Sequence, residues 1–180
     1  MVGSLYFGIW FKTIRHAIKT VQSRYGHLLA ASAHSPLTVD RFNDLKTSET
    51  AIHTLRLMGS GLFDDYSKLK IILGHLGEVL PRNIWRIDNR ISRTLGAKPR
   101  AKLPIGHYLR ENFYITTSGN FCTQTLTEVM MEVGADRILY SVDYPFEDVV
   151  IAAEWLDHAP ISEADRSKIA RGNATQLFRI

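Results

Sequence analysis

Three short apolar runs constrain this chain more than anything else in it. They span residues 69–73, 112–120 and 137–147, and each passes directly into a polar, loop-like segment. Before and between them the apolar residues recur at helical spacing: Ile52, Leu55, Met58 and Leu62 first, then Ile84, Ile87 and Ile91. A third helical stretch, 126–133, is stopped by Gly134, and a fourth covers 151–158. Pro81 suits the opening turn of an 80–95 helix. A basic, Pro-containing loop follows over 96–104. Ser162 with Asp165 three residues on has the pattern of a cap opening the last helix. Helices alternating with strands of continuous apolar character predict βα units around a parallel sheet.

Ligands of parallel sheets gather beyond the carboxyl ends of the strands. Packing alone gives a buried strand no reason to deliver titratable groups there. Yet the first run ends in Gly74-His75-Leu76-Gly77-Glu78, the second in Thr117-Ser118-Gly119-Asn120 and the third in Ser141-Val142-Asp143-Tyr144-Pro145. His75, Glu78, Ser118, Asn120 and Asp143 are therefore candidates to share one site. His75 has the chemistry for proton transfer, and Glu78 is close enough in sequence to orient or charge it. Each has a plainer reading. His75 suits a satisfied core histidine, Glu78 the first-turn acid of a helix. Asp143, Ser118 and Asn120 suit turn and cap positions. Arg86 is either a solvated helix charge or a clamp for a substrate carboxylate. Cys122 lacks a histidine nearby in sequence, which argues against a thiol nucleophile.

Composition narrows the class. A chain of 180 residues with 45% apolar and 22% charged residues has the makeup of one globular domain. The single cysteine forbids an internal disulfide and favours a reducing, cytoplasmic setting. No apolar stretch approaches the roughly 18 residues of a membrane span. The net charge is +4, and residues 1–39 hold four of the 22 basic residues but none of the 18 acidic ones. The whole excess therefore sits there. Such a segment reads as a mitochondrial transit peptide or as an ordinary basic helix. It is no argument for a nucleic-acid partner, which needs a basic patch on the folded domain.

Five longer motifs add a resemblance. They are ETAIHTLRLMGSGLFDDYSKLKIILGHLGEVLP, WRIDNR, ENFYITTSGNF, GADRILYSVDYPFED and EADRSKIARGNATQLF, in that order. Together they resemble the amidohydrolase-related decarboxylases. The likeness is nearest to the 2,3-dihydroxybenzoate decarboxylases, with the γ-resorcylate and salicylate enzymes beside them. It runs from about Ser48 to Phe178, leaving residues 1–47 as a divergent basic segment. The resemblance implies the C-terminal half of a metal-dependent (β/α)₈ barrel, and non-oxidative decarboxylation of a hydroxybenzoate. The family's GHxGE histidine and glutamate fall on His75 and Glu78. Its S-x-D-x-P-F-E aspartate, a metal ligand and proton donor, falls on Asp143. Its WR-[IL]-D arginine falls on Arg86, which with Ser118 and Asn120 is expected to meet the substrate. The implied cofactor is a divalent ion (Zn, Mn or Mg). The implied partners are a small aromatic carboxylic acid and further copies of the subunit.

The chain also departs from that pattern. The family's Glu-x-His metal motif is absent, and its His-Pro ligand has only His34, in AHSPL, as a weak counterpart. Asn89 replaces the histidine of WRIDHR, Arg82 and Asn83 stand where relatives are apolar or aromatic, and Tyr144 replaces a tryptophan. A closed (β/α)₈ barrel needs about 250 residues, and three strands leave an open edge. The expectation is therefore an incomplete barrel with an incomplete metal site. Three readings remain open: a decarboxylase, an inert homologue that associates with an intact subunit, and a related hydrolase of the same fold.

Overall fold

The computed structural model describes residues 44–94, Gly96 and 99–180, with side chains described from Ser48 onward. The basic segment 1–39 and His34 lie outside the described residues.

Three strands form one parallel sheet in the order β1-β2-β3: β1 is Ile71–Leu73, β2 Phe113–Thr116 and β3 Ile138–Leu139. The register sets Ile71 against Phe113 and Leu73 against Ile115, then Ile115 against Ile138 and Thr116 against Leu139. Before β1 come α1 (Asp44–Gly59) and the single turn α2 (Leu62–Asp65). Between β1 and β2 lie α3 (Leu80–Arg93) and α4 (Ile105–Asn112). α5 (Thr123–Val133) leads to β3, and α6 (Val149–His158), α7 (Glu163–Ser167) and α8 (Asn173–Phe178) finish the chain. A π-helical stretch, Lys168–Gly172, joins the last two.

The apolar positions of the periodic segments make the core. Leu80 and Ile84 of α3, Leu109 of α4, and Leu126 and Val129 of α5 are buried with Ile115 and Ile138 of the sheet. Phe63 stacks on Tyr108 at 5.9 Å and meets the edge of Phe113 at 5.3 Å, which ties α2 to α4 and β2. Tyr108 carries its hydroxyl into this apolar wall and satisfies it twice, donating to Asp64 Oδ1 at 2.7 Å and accepting from the Leu103 amide at 3.0 Å. Burial, with the Asp64 carboxylate beside it, raises the Tyr108 pKa above its ordinary value.

Caps follow local chemistry. Asp148 accepts from the amides of Val150 and Ile151 to open α6, and Ser162 accepts from the Asp165 amide to open α7, as the sequence predicts. Gly134, with φ 82°, ends α5.

Two expectations change in extent. The second and third apolar runs are strand only at their starts, Phe113–Thr116 and Ile138–Leu139. The third run leaves the sheet early because the Tyr140 amide donates to the Ile169 carbonyl instead of to a strand. The second run turns at Thr117, whose carbonyl accepts from the Asn120 amide. α4 is the element that the periodicity did not announce. At eight residues it is only about two turns long, too short for a repeated pattern. Its start is set from outside: Asp88 of α3 accepts from the amides of Ile105 at 2.7 Å and Gly106 at 2.9 Å. A carboxylate on the free amides at a helix N-terminus is favourable.

After β1 the chain makes a left-handed turn. His75, Leu76, Gly77 and Glu78 have φ of 53°, 53°, 74° and 56°. The turn is closed by Gly77 N–H to the Gly74 carbonyl at 2.8 Å and Glu78 N–H to the His75 carbonyl at 3.1 Å. For non-glycine residues this region costs about 1–2 kcal/mol each. The Leu76 side chain is fully buried by the turn, which returns about 1.5–3 kcal/mol. Among the described residues no helix is long and apolar enough to cross a membrane.

Two stability predictions follow from these contacts. A Cβ on Gly77 would sit 2.9 Å from Pro81 Cγ and 3.1 Å from Ile115 Cδ1, at φ +74°. Gly77→Ala is expected to lower unfolding free energy by about 2 kcal/mol or more in urea titration, with the m-value unchanged. Buried Asn173 donates through Nδ2 to the carbonyls of Ala135 and Ile138, each at 2.7 Å. Asn173→Ala strands both acceptors and is expected to cost about 1–3 kcal/mol in the same measurement.

Candidate active site

The sheet order decides which strand ends meet. β2 is central, so the turn that follows it lies between the ends of β1 and β3. Gly119 sits in that turn with φ 61°. The point where a Cβ on Gly119 would stand is 3.0 Å from His75 Nδ1, 3.2 Å from His75 Cε1 and 3.3 Å from Asp143 Oδ2. The imidazole from the end of β1 and the carboxylate from the end of β3 therefore face the same point, and their separation is no more than the sum of two such contacts. Both residues are half-buried, within reach of a ligand yet shielded from bulk water. Both also have positive φ, 53° for His75 and 86° for Asp143. Non-glycine residues held in that region cluster at functional sites, because the surrounding fold must enforce them.

The rim around the pair is held by hydroxyls. Thr117 is fully buried and bonds Ser141 twice: its Oγ1 donates to the Ser141 carbonyl at 2.7 Å and accepts from the Ser141 amide at 2.9 Å. This exchange continues the β2–β3 pairing beyond the last ladder bond. Ser118 accepts from Thr116 Oγ1 at 3.1 Å and donates to Ser141 Oγ at 3.0 Å. Asn120 donates through Nδ2 to the His75 carbonyl at 3.4 Å. Ser118 and Asn120 thus stand at the site, each engaged with the protein.

Of the remaining candidates, Glu78 adjoins the rim through Asn120 and Arg86 lies in a separate groove. Glu78 lines a hollow of about 320 Å³ with Arg82, Asn83, Asn120, Thr125 and Glu128. Arg86 is exposed on α3 and lines an apolar groove of about 500 Å³ against α1, with Ile52, Leu55 and Ile87. Among the described residues no group of three or more His, Cys, Asp or Glu side chains is placed to hold a metal ion. Asp143 and His75 are two donors, and two donors do not close a metal site.

Three contributors escaped the sequence reading. Gly119 stood in plain view in the S-G-N turn, but its closeness to two other strand ends is a tertiary fact. Thr117 was read as part of the segment that ends the second run but was not named as a site candidate. Asp88 lies inside WRIDNR, where the neighbouring arginine drew attention; the aspartate is the residue with a defined structural task.

Known proteins resemble the chain strongly. A family model described as amidohydrolase matches residues 8–180, reaching upstream of the motif likeness that begins near Ser48. The γ-resorcylate decarboxylase of Polaromonas sp. (strain JS666 / ATCC BAA-500) is 59% identical over 134 residues, which cover 73% of this chain and 41% of that protein. A crystal structure of dihydroxybenzoic acid decarboxylase from Polaromonas sp. JS666, with bound manganese and the inhibitor 2-nitroresorcinol, superposes with a TM-score of 0.71. It is 58% identical, and the match covers 74% of this chain and 40% of that one. A 2,6-dihydroxybenzoate decarboxylase complexed with 2,6-dihydroxybenzoate gives a TM-score of 0.71 at 53% identity, covering 74% and 42%. The chain thus spans about two fifths of the length of the curated relatives it matches. Sequence, parallel sheet and strand-end site agree, and the chain belongs to the amidohydrolase family, in the branch whose close members are named decarboxylases.

Proposed function

We propose that this chain carries the proton-handling part of a hydroxybenzoate decarboxylase. The observation that supports this most is the meeting of His75 and Asp143 over Gly119, in a chain so close to decarboxylases of dihydroxybenzoates. The net chemistry needs one proton. It adds to the ring carbon that bears the carboxylate, and the ring loses its aromaticity. The bond to the carboxylate carbon then breaks, its electron pair returns to the ring, and carbon dioxide leaves. A hydroxyl ortho to the carboxylate helps by holding charge on its oxygen.

In this reading Asp143 delivers the proton and His75, facing the same point, restores it. Ser118 and Asn120 hold the rim, and Glu78 lies one turn away from the exchange. No part in the proton step is proposed for Arg86. The relatives' names shift the favoured ring from the 2,3- to the 2,6-dihydroxy pattern. A divalent ion, such as the manganese of the Polaromonas structure, would find Asp143 and His75 here but no third donor among the described residues. That shortage favours a second reading, in which the chain works only beside a subunit that supplies the other donors.

The test is product formation by the purified full chain with Mn²⁺ supplied. Appearance of resorcinol and carbon dioxide from 2,6-dihydroxybenzoate is expected, falling by about a hundredfold or more in Asp143→Asn and in His75→Asn. No product from 2,6-dihydroxybenzoate, 2,3-dihydroxybenzoate or salicylate would remove the first reading. Activity of the wild-type chain that returns only on mixing with an inactivated full-length relative would establish the second.

A further inference from the structure

We propose that Gly119 is a positioning residue: the hydrogen in place of its side chain sets how closely the His75 imidazole and the Asp143 carboxylate approach each other. The inference rests on the reading of those two groups as the reacting pair. A backbone at φ 61° favours glycine but does not demand it, because asparagine also adopts this region readily. The space above the Cα is the stricter constraint. A Cβ there would be 3.0 Å from His75 Nδ1, 3.2 Å from His75 Cε1 and 3.3 Å from Asp143 Oδ2, all inside the 3.4 Å at which ordinary contact begins. The two functional groups thus crowd the space above the bare Cα from the two neighbouring strand ends.

The turn also holds the backbones that carry them. Gly119 N–H donates to the Val142 carbonyl at 3.1 Å, one residue before Asp143. Asn120 Nδ2 donates to the carbonyl of His75 itself at 3.4 Å. Both main chains are tied to residues 119 and 120, so an added methyl group presses first on the two side chains, which must give by a few tenths of an ångström. It must turn the imidazole, the carboxylate or both away from their common point. Reactions that depend on such placement lose rate steeply for small displacements.

The experiment compares Gly119→Ala and Gly119→Asn in the full chain. Both add a Cβ, but only the asparagine relieves the backbone. Three quantities are read: the His75 Nδ1–Asp143 Oδ2 separation in crystal structures of the wild type and variants, Tm, and kcat and KM on the hydroxybenzoate that the wild type turns over. The expected result is a wider separation in both variants. Tm should fall in the alanine variant and recover in the asparagine variant. kcat should stay roughly tenfold or more below wild type in both, with KM within about twofold. A merely structural role makes kcat recover with Tm, and that result overturns the proposal. So does an unchanged separation, since the added carbon has then been accommodated elsewhere. If the alanine variant fails to fold, the asparagine variant decides alone. If the wild type alone has no turnover, the first reading of the chain fails, and the separation alone decides whether Gly119 governs the pair.

Discussion

Everything at this site depends on one strand occupying the middle of the sheet. β2 is only four residues long, yet its central place puts a single turn, 117–120, between the ends of its two neighbours. The turn is bonded to both: Asn120 to the His75 carbonyl on one side, Gly119 to the Val142 carbonyl on the other. Parallel pairing fixes this, because it places all three carboxyl ends on one edge. A histidine and an aspartate 68 positions apart in the sequence are neighbours for that reason.

The cost of the arrangement is local and its compensation is apolar. Four successive positive φ values after β1 would not persist in an isolated peptide. They persist here because the turn drives Leu76 into the core and sets Gly77 against Pro81 and Ile115. The same residues that aim His75 outward thus anchor the turn inward. Strain at the rim and burial beneath it are two sides of one loop, which explains why a motif as compact as Gly-His-Leu-Gly-Glu contains both its apolar and its titratable members.

Much of this was legible in the sequence, for physical reasons. The apolar runs marked the strands because parallel strands read as continuous apolar residues, even though Ile72 of β1 is exposed. Gly134 and Ser162 marked helix ends because their backbone chemistry is local. His75 and Asp143 stood out because titratable groups are costly at the ends of buried strands unless they have a task. What was hidden depended on distant partners. The strands proved shorter than their runs because Tyr140 bonds to Ile169 and Thr117 closes a turn, neither of which a window of neighbours contains. α4 escaped notice because its first amides are satisfied by Asp88 from another helix. Glu78 and Arg86 share a short stretch with His75, yet Arg86 lines a separate groove against α1, because a helix carries it there, while Glu78 borders Asn120 of the rim.

The row of hydroxyls from Thr116 through Ser118 to Ser141 has a further property. Each member is at once a donor and an acceptor, and a hydroxyl hydrogen rotates about its C–O bond. The direction of such a file is set by hydrogen rotation alone, with no heavy atom displaced. The file ends two residues before Asp143, so the strand end that carries the carboxylate is held by side chains where the ladder has already stopped.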